Sequence, residues 1–394
     1  MKKLVYDATH SSMREVSVPG RVFADMAPGA AAVPDFNSDN IYVLPGFADV
    51  HVHLREPGFS YKETIRTGTL AAARGGYTAV CPMPNLAPVP DSPPALEKQL
   101  DIIARDAAVR VYPYGAISAG ENGRELSDMA ALAPRVIAFS DDGRGVQSGE
   151  LMELAMKEAK SLGKIIAAHC EDMSQPDSRQ REWREIERDL ELAAKTGCAY
   201  HVCHISCKES AALIRQAKRS GVDVSCETAP HYLTLDETMA KDHGRYKMNP
   251  PLRAPQDRQA LIEALADGTV DMIATDHAPH SPAEKSGGYD KSLNGIVGLE
   301  TAFPVLYTRL VRTGMISLEK LVELLAVNPR KRFGIPLGAE DYTLFDLGRE
   351  YQIDSADFLS LGKSSPFEGD KVYGKCLMTV VGGKTAWQEN STEN

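Results

Sequence analysis

Residues 41–55 read Ile-Tyr-Val-Leu-Pro-Gly-Phe-Ala-Asp-Val-His-Val-His-Leu-Arg. An apolar run ends here on His51 and His53. On a strand, residues two apart leave the same face. Both imidazoles would therefore leave together at the C-terminal end of a strand. Neutral imidazole is a good ligand for zinc and similar ions. A lone His-x-His is more often a pair of packing residues. Further histidines and aspartates close later apolar runs in this chain, and that repetition favours a metal site.

Outward from this stretch the pattern is regular. Apolar runs at 42–50, 77–83, 111–117, 136–139, 165–168, 200–205, 222–227 and 271–274 alternate with amphipathic segments. Helices are expected at 62–74, 94–104, 127–133, 149–162, 181–196, 208–220 and 254–266. Gly75-Gly76, Gly163, Gly197 and Gly221 stand where a helix should stop before the next strand. Runs that are apolar on both faces suit buried parallel strands. The expected fold class is α/β, a closed (β/α)8 barrel of the TIM type, with an open doubly wound sheet as the rival. Both ends of the chain are β-prone and broken by glycine and proline. Short strands are expected at 3–6, 15–18 and 21–23, a loop at 27–34, and a hairpin within 374–383. Residues 1–45 plus 340–394 would form a small β domain beside a barrel domain of 46–339. Two more helices are expected at 299–313 and 318–327, with Asn328-Pro329 ending the second.

The formal charge of -10 argues against nucleic acid and against an anionic membrane surface. No apolar stretch reaches the roughly 18 residues of a membrane helix. The N-terminus lacks the apolar core of a signal peptide. The seven cysteines are scattered without a Cys-x-x-Cys pair, so the expected compartment is the reducing cytoplasm. A zinc site at Cys198, Cys203 and Cys207 is disfavoured, because Cys203 lies on an apolar run.

Barrel enzymes carry their chemistry where the strands end. Those ends here hold His51, His53 and Arg55; Met83-Pro84-Asn85; Asp141-Asp142-Gly143; His169-Cys170-Glu171-Asp172; His201 and His204; His231; and Asp276-His277-Ala278-Pro279-His280. His51, His53, His169 and His204 supply nitrogens, and Asp142 and Asp276 supply oxygens. That set suits two divalent ions sharing a carboxylate, an arrangement that lowers the pKa of a shared water and polarises a carbonyl. An aspartate at the last strand would carry a proton to or from a leaving nitrogen. Arg55 shares the face of His53, and its fork fits a carboxylate. Asn85 and Asn249 sit in proline-rich turns, where amides can read an amide-containing substrate. Asp141 reads as an N-cap or turn residue, His201 as facing away from His204, His231 and His243 as structural or surface residues, and His277 equally as packing or catalytic.

These motifs, with Lys247-Met248-Asn249-Pro250-Pro251-Leu252-Arg253, closely resemble the signatures of the dihydroorotases, of the bacterial class I type within the amidohydrolase superfamily. The resemblance runs from about residue 41 to Val380-Val381-Gly382-Gly383-Lys384. It implies the barrel with a β domain from both termini. It also implies reversible cyclisation of N-carbamoyl-L-aspartate to L-dihydroorotate in pyrimidine synthesis. His51, His53 and Asp276 would hold one Zn2+, His169 and His204 a second, with Asp142 between them. Arg55, Asn85 and His280 would grip the substrate carboxylate. Asn249 and backbone near Gly295 would hold the ring amide, and Asp276 would be the general base and acid. The family allows a homodimer or an aspartate transcarbamoylase partner. Hydantoinases and dihydropyrimidinases place a carbamylated lysine where Asp142 stands. The competing readings are therefore a hydantoinase- or allantoinase-type amidase, or a non-catalytic dihydroorotase-like subunit. Two departures stand out. The Gly-rich segment usual after His-Cys-Glu-Asp is trimmed, and Ser292-Leu293-Asn294-Gly295 replaces the usual Ala-Pro-Phe-Gly.

Overall fold

The computed structural model describes residues 2–7, 12–17 and 40–389. The strand expected at 21–23 and the loop at 27–34 lie outside the described residues.

The apolar run 42–50 serves two sheets. It breaks at Gly46 into β3 (Ile41–Pro45) and β4 (Phe47–Val52). A Cβ on Gly46 would lie 2.2 Å from Thr78 Oγ1, so only glycine allows the chain to pass from one sheet to the other here. In one sheet, β3 pairs in parallel with β1 (Lys2–Asp7), which pairs with β2 (Ser12–Ser17). On its other side β3 pairs with β13 (Tyr342–Gln352), followed by β14 (Lys371–Val381) and β15 (Lys384–Gln388). Both ends of the chain thus build one sheet. The hairpin expected within 374–383 is displaced: 374–381 belongs to the single strand β14, and the turn lies at its end, at Gly382-Gly383, whose φ values of 56° and 75° suit a tight two-residue turn into β15.

The second sheet is the barrel. β4 pairs in parallel with β5 (Tyr77–Pro82), and β5 with β6 (Arg110–Val111). The third expected run is split, β6 serving its first half and β7 (Gly115–Ala116) its second. The order continues through β8 (Phe139–Ser140), β9 (Ile166–Ala168), β10 (Tyr200–Val202), β11 (Val224–Thr228) and β12 (Met272–Ile273). Closure is made just past β12. Val52 and His277 form a parallel bridge, and the His53 N–H donates to the His277 carbonyl at 2.8 Å. The ring is a (β/α)8 barrel rather than an open sheet.

Small side chains fill its interior: Ala48, Ala79, Ala138, Ala167, Cys81, Cys203 and Ala274, with Val50, Tyr114 and Met272, closed off by Phe333 and Ile335. The helices pack outside through a second, larger set of buried apolar residues. Each Val, Leu, Ile, Phe or Met among them contributes about 1.5–3 kcal/mol when fully buried. Helix Ile65–Arg74 starts on a capping box of Thr64 and Thr67, and Gly76 follows it at φ 90°. Gly163, Gly197 and Gly221 end their helices at φ 65°, 67° and 80°.

Pro329 does not end the helix that starts at Leu318. The turns of 323–327 widen to a π-helix and run directly into Asn328–Phe333, which stops at Gly334. Widening the turn before a proline accommodates the missing N–H donor. No helix among the described residues is long and apolar enough to cross a membrane.

Candidate metal centre and active site

The strand ends bring the expected ligands into two groups. His51, His53 and Asp142 form one, and Asp142, His169 and His204 the other, with the potential ligand atoms of each group within 4.8 Å of one another. Asp142 belongs to both. Asp276 joins the first group, its Oδ1 lying 3.0 Å from His53 Nε2 and 3.6 Å from His51 Nε2. All are buried.

The hydrogen bonds behind the histidines fix their ring orientation. His51 Nδ1 donates to Glu227 Oε1 at 2.8 Å, and His53 Nδ1 donates to Asn85 Oδ1 at 3.0 Å. His169 Nε2 lies 3.3 Å from Glu171 Oε2. With those nitrogens protonated, the opposite ring nitrogens turn lone pairs toward carboxylate oxygens. His51 Nε2 faces Asp142 Oδ1 at 3.3 Å, and His53 Nε2 faces Asp142 Oδ2 at 3.5 Å. Lone pairs facing carboxylates repel unless a cation lies between them. His51 Nε2 and Asp142 Oδ1 are also buried without any hydrogen-bond partner. This donor set fits divalent metal, and the carboxylate or amide behind His51, His53 and His169 is the usual support of a metal ligand.

The backbone is strained where it meets the site. Among described non-glycine residues, only Arg55, Glu121, His204 and Asp276 have positive φ, at 60°, 51°, 32° and 47°. Three of these four line the cavity. Such strain costs about 1–3 kcal/mol per residue and gathers at functional sites.

The charges agree. Burial alone would raise Asp142 and Asp276, but the surrounding histidines hold both below the usual carboxylate range. Burial and the Arg55 charge push His53 down. Burial, Arg55 and Lys62 push His280 down to about 3, so its ring is neutral at pH 7.

A 210 Å³ cavity opens over the ligands. It is lined by every other residue expected to touch substrate: Arg55, Asn85, Asn249, His280 and Gly295. Their polar groups differ in freedom. Arg55 Nε donates to the Pro279 carbonyl at 3.2 Å, and its two terminal nitrogens have no hydrogen-bond acceptor among the described residues. Asn85 also donates to Asp142 Oδ2 at 3.3 Å, and Asn249 to Glu171 Oε2 at 2.9 Å. His280 Nε2 donates to the Asn294 carbonyl at 2.7 Å. The Gly295 N–H donates to the Lys247 carbonyl at 3.0 Å, and its carbonyl accepts from Lys285 Nζ at 2.7 Å. Lys285 also holds the carbonyls of Lys247 and Leu293, which pins this loop.

Asp141 is a turn residue, as expected. It accepts from the backbone N–H groups of Ile117 and Ser118 at 2.8 and 3.0 Å. His201 faces away from the cavity, between Ser225 and Glu227. His231 is buried against the ring of Tyr232. His243 is exposed and accepts from the Arg245 N–H at 3.1 Å. His277 is structural: buried, 3.4 Å from Glu63, and accepting from the Gly298 N–H at 3.2 Å. Cys198, Cys203 and Cys207 are buried free thiols. Cys203 lies with His51 and Glu227 in a third potential ligand group, but burial pushes its thiol up to about 12, which leaves it protonated and a poor ligand.

Sequence reasoning gave no role to Glu227 and Asp49. Asp49 accepts from the His51 N–H at 3.0 Å and from the Thr275 N–H at 3.1 Å. The available signal was a carboxylate inside an otherwise apolar run.

Comparison with known proteins agrees with this geometry. The Dihydro-orotase-like family model matches residues 41–182. A dihydroorotase of Fusobacterium nucleatum is 48% identical over 380 residues, covering 90% of this chain and 89% of its own. The chain belongs to the dihydroorotase family. A dihydroorotase of a Geobacillus species is 50% identical over 373 residues, covering 88% of this chain and 87% of its own. One from Staphylococcus aureus is 45% identical over 403 residues, covering 95% of each chain. Among solved structures, the L-hydantoinase (dihydropyrimidinase) of Arthrobacter aurescens superposes with a TM-score of 0.81 at 27% identity, covering 89% of this chain and 86% of its own. Dihydroorotase-family sequence thus meets a barrel shared with hydantoinases.

Proposed function

We propose that this enzyme is a dihydroorotase, interconverting N-carbamoyl-L-aspartate and L-dihydroorotate in pyrimidine synthesis, with two zinc ions. The observation that carries the proposal is Arg55, which lines the cavity beside the metal ligands and whose terminal guanidinium nitrogens have no acceptor among the described residues. A dihydroorotate ring bears a carboxylate for that fork, whereas hydantoin and allantoin rings bear none. A lysine-bridged centre of the hydantoinase type is disfavoured, because no lysine lines the cavity among the described residues and Asp142 serves both ligand groups. A volume of 210 Å³ lies below the range of about 300–1,000 Å³ usual for drug-sized ligands and suits a single small ring.

His51, His53 and Asp276 would hold one ion, His169 and His204 the other, and Asp142 both. When bound, such a pair lowers the pKa of a shared water and polarises the ring carbonyl. Arg55 orients the substrate through its carboxylate, with Asn85 and His280 beside it. Asn249 and the backbone at Gly295 flank the ring amide. Asp276 is ionised and carries the proton. In hydrolysis it takes a proton from the attacking water and delivers it to the departing ring nitrogen, and in cyclisation it takes one from the ureido nitrogen and returns it to the departing water. The terminal sheet is read as a small domain of residues 1–45 plus 340–394 beside the barrel domain of 46–339.

Metal analysis tests this reading. Purified protein should hold two equivalents of zinc, lose dihydroorotate turnover with a chelator, and regain it when zinc returns. Full turnover by metal-free protein would overturn it.

A further inference from the structure

Glu227, next to the last residue of β11, is fully buried, and the reaction above makes no use of it. Its Oε1 accepts from His51 Nδ1 at 2.8 Å and also from the His204 backbone N–H at 3.4 Å. Its Oε2 faces His201 Nε2 at 3.2 Å. His51 belongs to the first ligand group and His204 to the second. His204 needs such a hold, because its φ of 32° is one that residues with a side chain rarely adopt. The Glu227 carbonyl accepts the neighbouring Ile205 N–H at 2.9 Å, so side chain and backbone brace the same turn.

We infer that Glu227 is a positioning residue for both metal positions at once: it fixes the tautomer and angle of His51 and the strained turn that presents His204. The inference rests on the two-ion reading above. A carboxylate behind an imidazole commits the proton to the nitrogen it faces and makes the opposite nitrogen a stronger ligand. Here one carboxylate does this for the first group and bonds the backbone of the second, which ties the two positions together.

Two substitutions separate the contributions. Glu227→Gln removes the charge but can keep the His51 bond. His201 then accepts from the amide and donates to Ser225 Oγ, now 2.7 Å from its Nδ1, because a hydroxyl serves as donor or acceptor. Glu227→Leu keeps the bulk and the backbone bond to Ile205 but removes every side-chain bond. Metal-free protein of each kind is titrated with zinc against a chromophoric chelator, and the melting of the metal-free protein is recorded alongside. The Leu variant should need about 10–100-fold more free zinc at both positions, the range usual for lost ligand supports, and the Gln variant less than that. Wild-type affinity in the Leu variant, or weakening at one position only, would overturn the inference. A lower melting temperature with unchanged affinity would show a merely structural role and overturn it too. If the Leu variant is insoluble, the Gln variant decides, and unchanged affinity at both positions sinks the idea. Insolubility of both variants would equally mark the role as structural. Wild-type protein that binds fewer than two ions would instead defeat the two-ion reading itself.

Discussion

Replacing Asp276 by asparagine removes the proposed proton carrier with little other disturbance. Asp276 sits at φ 47°, and asparagine tolerates that left-handed region as well as aspartate does. Alanine would add backbone strain to the chemical change. The amide keeps the size of the side chain and an oxygen to face His53 Nε2, now 3.0 Å away. It cannot accept a proton at neutral pH. Positioned general acid–base groups contribute about 10²–10⁴-fold to rate, or about 3–5 kcal/mol of barrier at 1.36 kcal/mol per decade. The kcat for dihydroorotate hydrolysis, followed by ultraviolet absorbance at saturating zinc, should fall by that factor. Metal content and melting temperature are measured on the same preparation, since Asp276 also faces the first ligand group. A kcat within a few-fold of wild type, with both ions bound, would refute the assignment.

Other outcomes follow from the same geometry. Arg55→Met should lower kcat/KM for dihydroorotate by at least about 30-fold, since truncating one partner of a desolvated charge pair costs about 2–5 kcal/mol; steady-state kinetics that show no change would remove Arg55 from the carboxylate site. Glu121 is buried with Oε1 unpartnered, and burial raises its carboxyl from the ordinary 4.5 to about 9. Its folded-state value lies above the unfolded one, so the stability tied to its protonated form is full below pH 4.5 and is lost as pH rises toward 9. Glu121→Gln should therefore melt higher than wild type at pH 8, with the gap closing near pH 4.5; equal melting at pH 8 would contradict this.

The strand ends were legible because the chemistry obeys strand periodicity. His51 and His53 are two apart, and Asp142, His169, His204 and Asp276 each end or follow an apolar run. Barrel closure was less legible, because it depends on one bridge between Val52 and His277 that no local pattern encodes. The break at Gly46 was hidden in a continuous apolar stretch, since its cause is the close approach of Thr78, far along the chain. Proline signalled a helix end at Pro329, and tertiary packing overrode it by widening the preceding turn. Asn85 and Asn249 were recognisable as site residues, but their bonds to His53, Asp142 and Glu171 exist only in the folded barrel. Glu227 was hardest to read, because one carboxylate at the end of an apolar run carries no spacing signal.

The most direct test of the account is turnover of dihydroorotate by zinc-replete protein, with hydantoin and allantoin as parallel substrates. Efficient hydrolysis of dihydroorotate alone is predicted, because only that ring brings a carboxylate to Arg55. Turnover of hydantoin or allantoin with dihydroorotate untouched, in protein holding both ions, would contradict the account.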